Sequence, residues 1–261
     1  APTVNARGSK RARAGSRAMS GWRNWRLRFR TPGWLVYVAD RDLPGVWKFA
    51  DGKLTPYFTG SKKFRTPLNA VRCLAMDADG KLLAGDSATR EIYRFNDQGE
   101  PQPLTGGQLG IPMAIAVAAD GAIFASDLEI QRIVKIPAAG GEPTIFAELA
   151  AVRGLGFDGA GDLWAINHGK QPVIKFSPDG KQRTVVIDAP AFEFSHHVAF
   201  DGTGTPYVLD GYAKTLWKIA EGKATPVAKG EPWKNPVGLA WSVETGLIVA
   251  DPHQKAVYKV A

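Results

Sequence analysis

Residues 114–148 read AIAVAADGAIFASDLEIQRIVKIPAAGGEPTIFAE. The apolar run Ala114–Val117 meets a turn at Ala119, Asp120 and Gly121, and a second run, Ala122–Ser126, closes on Asp127. A short polar link leads to Ile133–Ile136, Gly140 and Gly141 turn the chain again, and Pro143–Glu148 makes a fourth run. Runs of this length between Gly- and Asp-containing turns predict four short strands of one antiparallel sheet.

The same plan recurs along the chain. An Asp or Asn closes an apolar run at Asp40, Asp86, Asp127, Asn167, Asp210 and Asp251. Six residues after each comes an apolar residue (Val46, Ile92, Ile133, Val173, Leu216, Val257), and two further on a basic one (Lys48, Arg94, Lys135, Lys175, Lys218, Lys259). The anchors lie 46, 41, 40, 43 and 41 residues apart, a period that means a repeat architecture. Six copies at fixed spacing read as Asp side chains holding the turn between second and third strands, with Lys and Arg on a solvated strand face. They are not read as a site.

The first strand of each repeat alternates in size. Leu74/Met76, Ile115/Val117, Leu155/Phe157, Val198/Phe200 and Leu239/Trp241 are large, while Cys73/Ala75, Ala114/Ala116, Gly154/Gly156 and Gly238/Ala240 are small. A strand apolar on both faces is buried on both, and sheets stacked large face to small face around an axis satisfy the pattern. The expected fold is all-β, a six-bladed β-propeller of four-stranded antiparallel blades over residues 22–261. A core between each pair of blades lets a chain of this length remain one domain. Blade six lacks an outer strand after Val260, and blade one lacks an inner strand before Leu35. The alternating apolar and basic residues Trp25–Arg30 serve either as that outer strand, which their arginines favour, or as that inner strand, which the spacing back from Asp40 favours.

The net charge of +8 is not spread evenly, because residues 1–39 hold nine basic residues and no acid. The remaining chain is near neutral. Residues 1–21 are rich in Arg, Ala, Ser and Gly and read as a disordered basic arm. Such arms serve as flexible leaders, resemble organelle transit segments, or bind phosphates by counterion release. Nucleic acid is therefore expected only through the arm. No stretch of 18 apolar residues is present, so no membrane span is expected. Cys73 stands alone, which rules out an intramolecular disulfide and a Cys-based zinc site, and its place in the small-residue row predicts a buried structural thiol.

The runs Val38–Asp40, Phe124–Asp127 and Val249–Asp251, each followed by the Ile/Val-x-Lys strand, resemble the NHL repeat and the wider superfamily of SMP-30/gluconolactonase and strictosidine-synthase-like six-bladed propellers. The likeness covers residues 34–261. It implies the fold, whereas function in this superfamily ranges over lactonases, lyases and binding modules. The gluconolactonase group places a divalent metal at the channel mouth. Here Val237–Ser242 is similar to that group's motif Asn-Gly-Leu-x-Trp-Ser, with Val237 in the ligand's place, and Ser195–Asp201 is similar to the segment supplying an Asp ligand, with His196 in its place. The equivalent positions elsewhere are Arg72, Met113 and Arg153, and no Glu precedes Glu91. A hard cation needs oxygen ligands, so neither a metal nor another cofactor is expected.

Links from one blade to the next and turns between second and third strands open on one face. That face gathers Asn69, Arg72, Arg153, His168, His196, His197, Asn235 and His253, all four histidines among them. His197 stands in the row of small residues, where it either fills a widened gap and bonds a neighbouring blade or acts with His196 as a catalytic base. Arg72 and Arg153, with His196, suit an anion clamped over the channel, and His168, His253, Asn69 and Asn235 complete the ligand-binding set. The resulting expectation is a monomeric binding module for a small anionic ligand or a protein segment. Its alternative is a hydrolase or lyase acting on a small carboxylate, lactone or ester.

Overall fold

Apolar runs of five or six residues between tight turns form the expected strands, and in blades two to five the first strand starts two residues before its alternating run. The first strands of blades two to six are Val71–Met76, Pro112–Val117, Val152–Phe157, Ser195–Phe200 and Gly238–Ser242. The computed structural model describes residues 3–5, 26–27, 35–40, 44–50 and 53–260. They form six four-stranded sheets, a six-bladed propeller. Blades two to five are antiparallel throughout and run from first strand to fourth in chain order.

The ring closes differently from a simple repeat. Thr3–Asn5, inside the segment read as an arm, pairs in parallel with Val36–Asp40 and is the inner strand of blade one. Arg26–Leu27 pairs in parallel with Ala256–Lys259 and supplies the outer strand of blade six. Of the two open assignments for residues 25–30, the described pair Arg26–Leu27 takes the outer strand, and blades one and six are mixed instead of purely antiparallel. Most of the arm, residues 1–2 and 6–21, lies outside the described residues.

Six apolar clusters sit one between each pair of neighbouring blades. The cluster of Ala114, Phe124 and Ile133 with Val152, Leu155 and Leu163 joins blades three and four. Val36, Val38 and Phe49 with Ile248, Ala250 and Val257 join blades one and six. Large first-strand residues such as Leu74 and Leu155 face the preceding blade, and small ones such as Cys73 and Ala114 face the following one. Each fully buried Val, Leu or Ile contributes about 1.5–3 kcal/mol relative to exposure, so stability is distributed around the ring. Cys73 is fully buried, with its Sγ 3.6 Å from the Pro112 carbonyl of the next blade.

The anchors work as the spacing implies, and they do more. Asp251 accepts from the N–H groups of His253 and Gln254 in its own turn, and from Lys234 and Asn235 in the link that enters the blade. Asp86, Asp127 and Asp210 repeat this double set. One buried carboxylate therefore ties the incoming link to the turn beside it. The residue four after each of these anchors (Arg90, Gln131, Lys214, Lys255) is left-handed, with φ between 50° and 61°. That conformation costs a non-glycine residue about 1–2 kcal/mol, which the carboxylate bonds offset. In blade four Asn167 breaks the rule: its amide donates to the Gln171 carbonyl, and Gly169 takes the turn.

Candidate functional site

In blades two to five the first strand slips register by one residue at the channel mouth. The slips fall between Val71 and Cys73, Pro112 and Ala114, Val152 and Gly154, and Ser195 and His197. The bulged residues are therefore Arg72, Met113, Arg153 and His196, the set that the aligned repeats place in equivalent positions. A bulge leaves one residue out of the ladder and re-aims its side chain, a device common beside functional sites. Met113 is buried, so the polar variants are the informative ones.

Arg153 and His196 converge on Phe194, which precedes the first strand of blade five. The Arg153 guanidinium lies 4.7 Å from the ring centroid of Phe194. His168 approaches the same ring at 3.9 Å and His196 at 4.9 Å, both edge-on, while Tyr212 stacks on it at 4.5 Å. His168 is fixed by a contact of 2.8 Å between its Nε2 and the Ser195 carbonyl. Asn235 extends the group toward His253, with Nδ2 3.4 Å from the imidazole Nε2. Gly211 makes the assembly possible, since a Cβ there would lie 2.6 Å from Asn235 Oδ1 and 2.7 Å from His196 Nε2.

The electrostatics of this cluster are out of balance. Burial pushes the Arg153 pKa below the ordinary guanidinium value, with Tyr212 opposing the shift. Arg153 Nε is buried with no hydrogen-bond partner, and so is Asn235 Oδ1. None of the ion pairs among the described residues involves Arg153. The guanidinium is thus partly desolvated against an aromatic ring, with a buried Nε–H that makes no hydrogen bond.

The other residues of the expected set make different contacts. Arg72 donates through Nε to Ser87 Oγ at 2.8 Å and lines a cavity at blades two and three. Asn69 shapes its link by donating to the Ser61 carbonyl at 2.6 Å and to Asp86. His197 does not join His196. Its Nδ1 meets the Leu239 carbonyl of blade six at 2.7 Å, and it lines a central cavity of about 370 Å³ walled by the first strands of blades two to six, Met76, Val117, Phe157 and Trp241 among them. The bond to the neighbouring blade, one of the two expectations for His197, is thus present. Among the described residues no group of three His, Cys, Asp or Glu side chains is placed to hold a metal ion.

Phe194 and Tyr212 are the functional candidates that the repeat pattern passed over. Phe194 belongs to the link before blade five, sixteen residues before its anchor, the slot held by Ala70, Ile111 and Asn235 in blades two, three and six, where side chains of unrelated type gave the pattern nothing to single out. Tyr212 was within reach: it stands two after Asp210, the slot held by Glu129 in blade three and His253 in blade six.

No protein-family model matches the chain, and no curated protein matches it. Solved structures share its fold at low identity. A gluconolactonase from Xanthomonas campestris superposes with a TM-score of 0.68 at 17% identity, over 81% of this chain and 77% of that one. Nidogen in its complex with laminin gives 0.66 at 16%, over 83% and 89%. A catalytically inactive variant of virginiamycin B lyase from Staphylococcus aureus, solved with quinupristin, gives 0.62 at 15%, over 80% and 71%. These likenesses establish the six-bladed propeller, and they span binding and enzymatic proteins alike.

Proposed function

We propose that the protein is a binding propeller that holds a carboxylate-bearing ligand, small or the acidic part of a protein segment, at the mouth between blades four and six. The observation that carries this reading is the buried Nε of Arg153, without a partner, against the Phe194 ring. A carboxylate bound there regains the missing hydrogen bond and neutralises the buried charge. Tyr212, 59% exposed and stacked on Phe194, offers an adjoining flat surface for an apolar portion of the ligand. Titration calorimetry with benzoate, acetate and a short acidic peptide tests the reading. Arg153→Met should weaken binding of whichever probe the wild type takes by roughly 10- to 100-fold, the worth of one charged hydrogen bond. Equal affinity in the variant, or no binding of any carboxylate, sinks the proposal.

A second reading, hydrolase or lyase action on a small carboxylate, lactone or ester, is favoured by one feature. His196 and Arg153 both contact the Phe194 ring, which sets an imidazole base beside an anion seat. In that case His196→Ala abolishes turnover of a lactone or ester while leaving carboxylate affinity in place.

A further inference from the structure

The cavity that Arg72 lines belongs to no part of the Arg153 cluster. It measures about 670 Å³ and is bounded by Phe64, Arg65, Arg72, Arg90, Glu129, the turn Ser87–Thr89, Gly107 and Ile111. That volume falls within the range of small-molecule sites. Three arginines face one carboxylate, and Glu129 is already paired with Arg90. The remaining surplus of positive charge suits an anion carrying two charges. Exposed Lys62 and Lys63 on the neighbouring link add to the same field.

The walls are fixed before any ligand arrives. Arg72 is oriented by Ser87, and Arg90 donates through Nε to the Leu109 carbonyl at 2.9 Å. Buried Glu91 gathers the N–H groups of Leu104, Thr105 and Gly107 and so holds the far wall. The rim segment is anchored by fully buried Leu68, and Thr66 and Asn69 close it by bonding to the carbonyls of Lys63 and Ser61.

Two features of the rim point to a ligand. Phe64 is 74% exposed, with the Arg65 guanidinium 5.4 Å from its centroid. Arg65 holds φ of 59° and Leu68, three residues on, 58°, a strained link of the kind retained where side chains must be aimed. Arginine forks match phosphate oxygens, and an exposed ring offers a stacking surface that any flat heterocycle can use. We propose that this pocket binds a phosphomonoester carried on a flat ring, the chemistry of a nucleoside monophosphate. The phosphate sits among Arg65, Arg72 and Arg90, and the base lies on Phe64.

The test is titration calorimetry of the full chain with adenosine 5′-monophosphate, inorganic phosphate and adenosine, at low and moderate salt. The monophosphate should bind more tightly than phosphate, adenosine should not bind measurably, and added salt should weaken both anions. Phe64→Ala should bring the monophosphate down about tenfold, toward the affinity of phosphate, while leaving phosphate unchanged. Arg65→Asn keeps the left-handed backbone and should weaken both. Because both side chains are exposed, circular dichroism should match the wild type. No binding of the monophosphate at millimolar concentration, wild-type affinity for it in either variant, or retention of a single-stranded oligonucleotide without any affinity for the monophosphate each overturns the proposal. None of these outcomes bears on Arg153, which is probed with other ligands.

Discussion

Replacing Asp210 with alanine should lower the melting temperature by about 10 °C, the equivalent of roughly 3–5 kcal/mol for a domain of this size. The carboxylate is fully buried and accepts from four backbone N–H groups, those of Glu193, Phe194, Tyr212 and Ala213. Truncation leaves these donors without partners, and an unsatisfied buried donor costs about 1–3 kcal/mol before any relaxation. Water entering the vacated space recovers part of the loss, so the sum stays below four full penalties. Asp210→Asn should fall between, since one amide oxygen still accepts while the NH₂ group faces donors.

The same substitution has a second consequence that separates it from an ordinary core lesion. Two of the four donors belong to Phe194 and Tyr212, the stacked pair on which Arg153 rests. Asp210→Ala should therefore abolish carboxylate binding at temperatures where the protein is still folded. Asp86→Ala removes an equivalent carboxylate in blade two, bonded to Asn69, Ala70, Ala88 and Thr89. It should cost comparable stability and leave that binding unchanged. Thermal melts run beside carboxylate titrations on the two variants decide the matter. Equal loss of binding in both would mean that the anchors act only through global stability.

The contrast between these anchors also shows what a sequence of this kind reveals. The number of blades, their strand order and the burial of Cys73 were legible because each is enforced by a periodic constraint: an Asp at a fixed offset, a large residue facing a small one. The ring closure was not. Alternation marked Trp25–Arg30 as a strand but left its blade open, and Thr3–Asn5, three residues pairing in parallel, carries neither turn chemistry nor alternation. The mouth was half legible. Aligned repeats single out Arg72, Arg153 and His196, yet a bulge changes only hydrogen-bond register, which leaves no compositional trace. Phe194 holds a periodic backbone slot, but the side chains there (Ala70, Ile111, Asn235) share no chemistry that would have marked it. The expectation that Arg72 and Arg153 clamp one anion drew on equivalence of position. Equivalent positions in different blades lie at different angles around the axis, and their partners, Ser87 and Phe194, are unrelated.

Gly154→Ala should destabilise the fold by about 2–3 kcal/mol, the range for forcing extra atoms into a packed interior, although it adds a single methyl to an apolar strand. Its Cβ would stand 2.9 Å from His197 Cα and 3.0 Å from the His196 carbonyl oxygen, and both are backbone atoms of blade five. Backbone within a paired strand cannot move aside without displacing its whole sheet. The first strands of blades four and five meet there without room for a side chain, whereas the next interface round accommodates the imidazole of His197. Gly156, two residues along the same strand, is the internal control. Its Cβ would meet Phe200 Cε2 at 3.1 Å and Val198 Cγ1 at 3.3 Å, ends of side chains that rotate. Gly156→Ala should cost less than about 1 kcal/mol, since lost backbone freedom in the unfolded chain offsets part of the crowding. Because Gly154 lies between Arg153 and the strand carrying His196, its substitution should also weaken carboxylate binding, and the Gly156 variant should not. Melting curves and titrations on the pair settle both points, and equal effects from the two glycines would show that the blades yield at this interface.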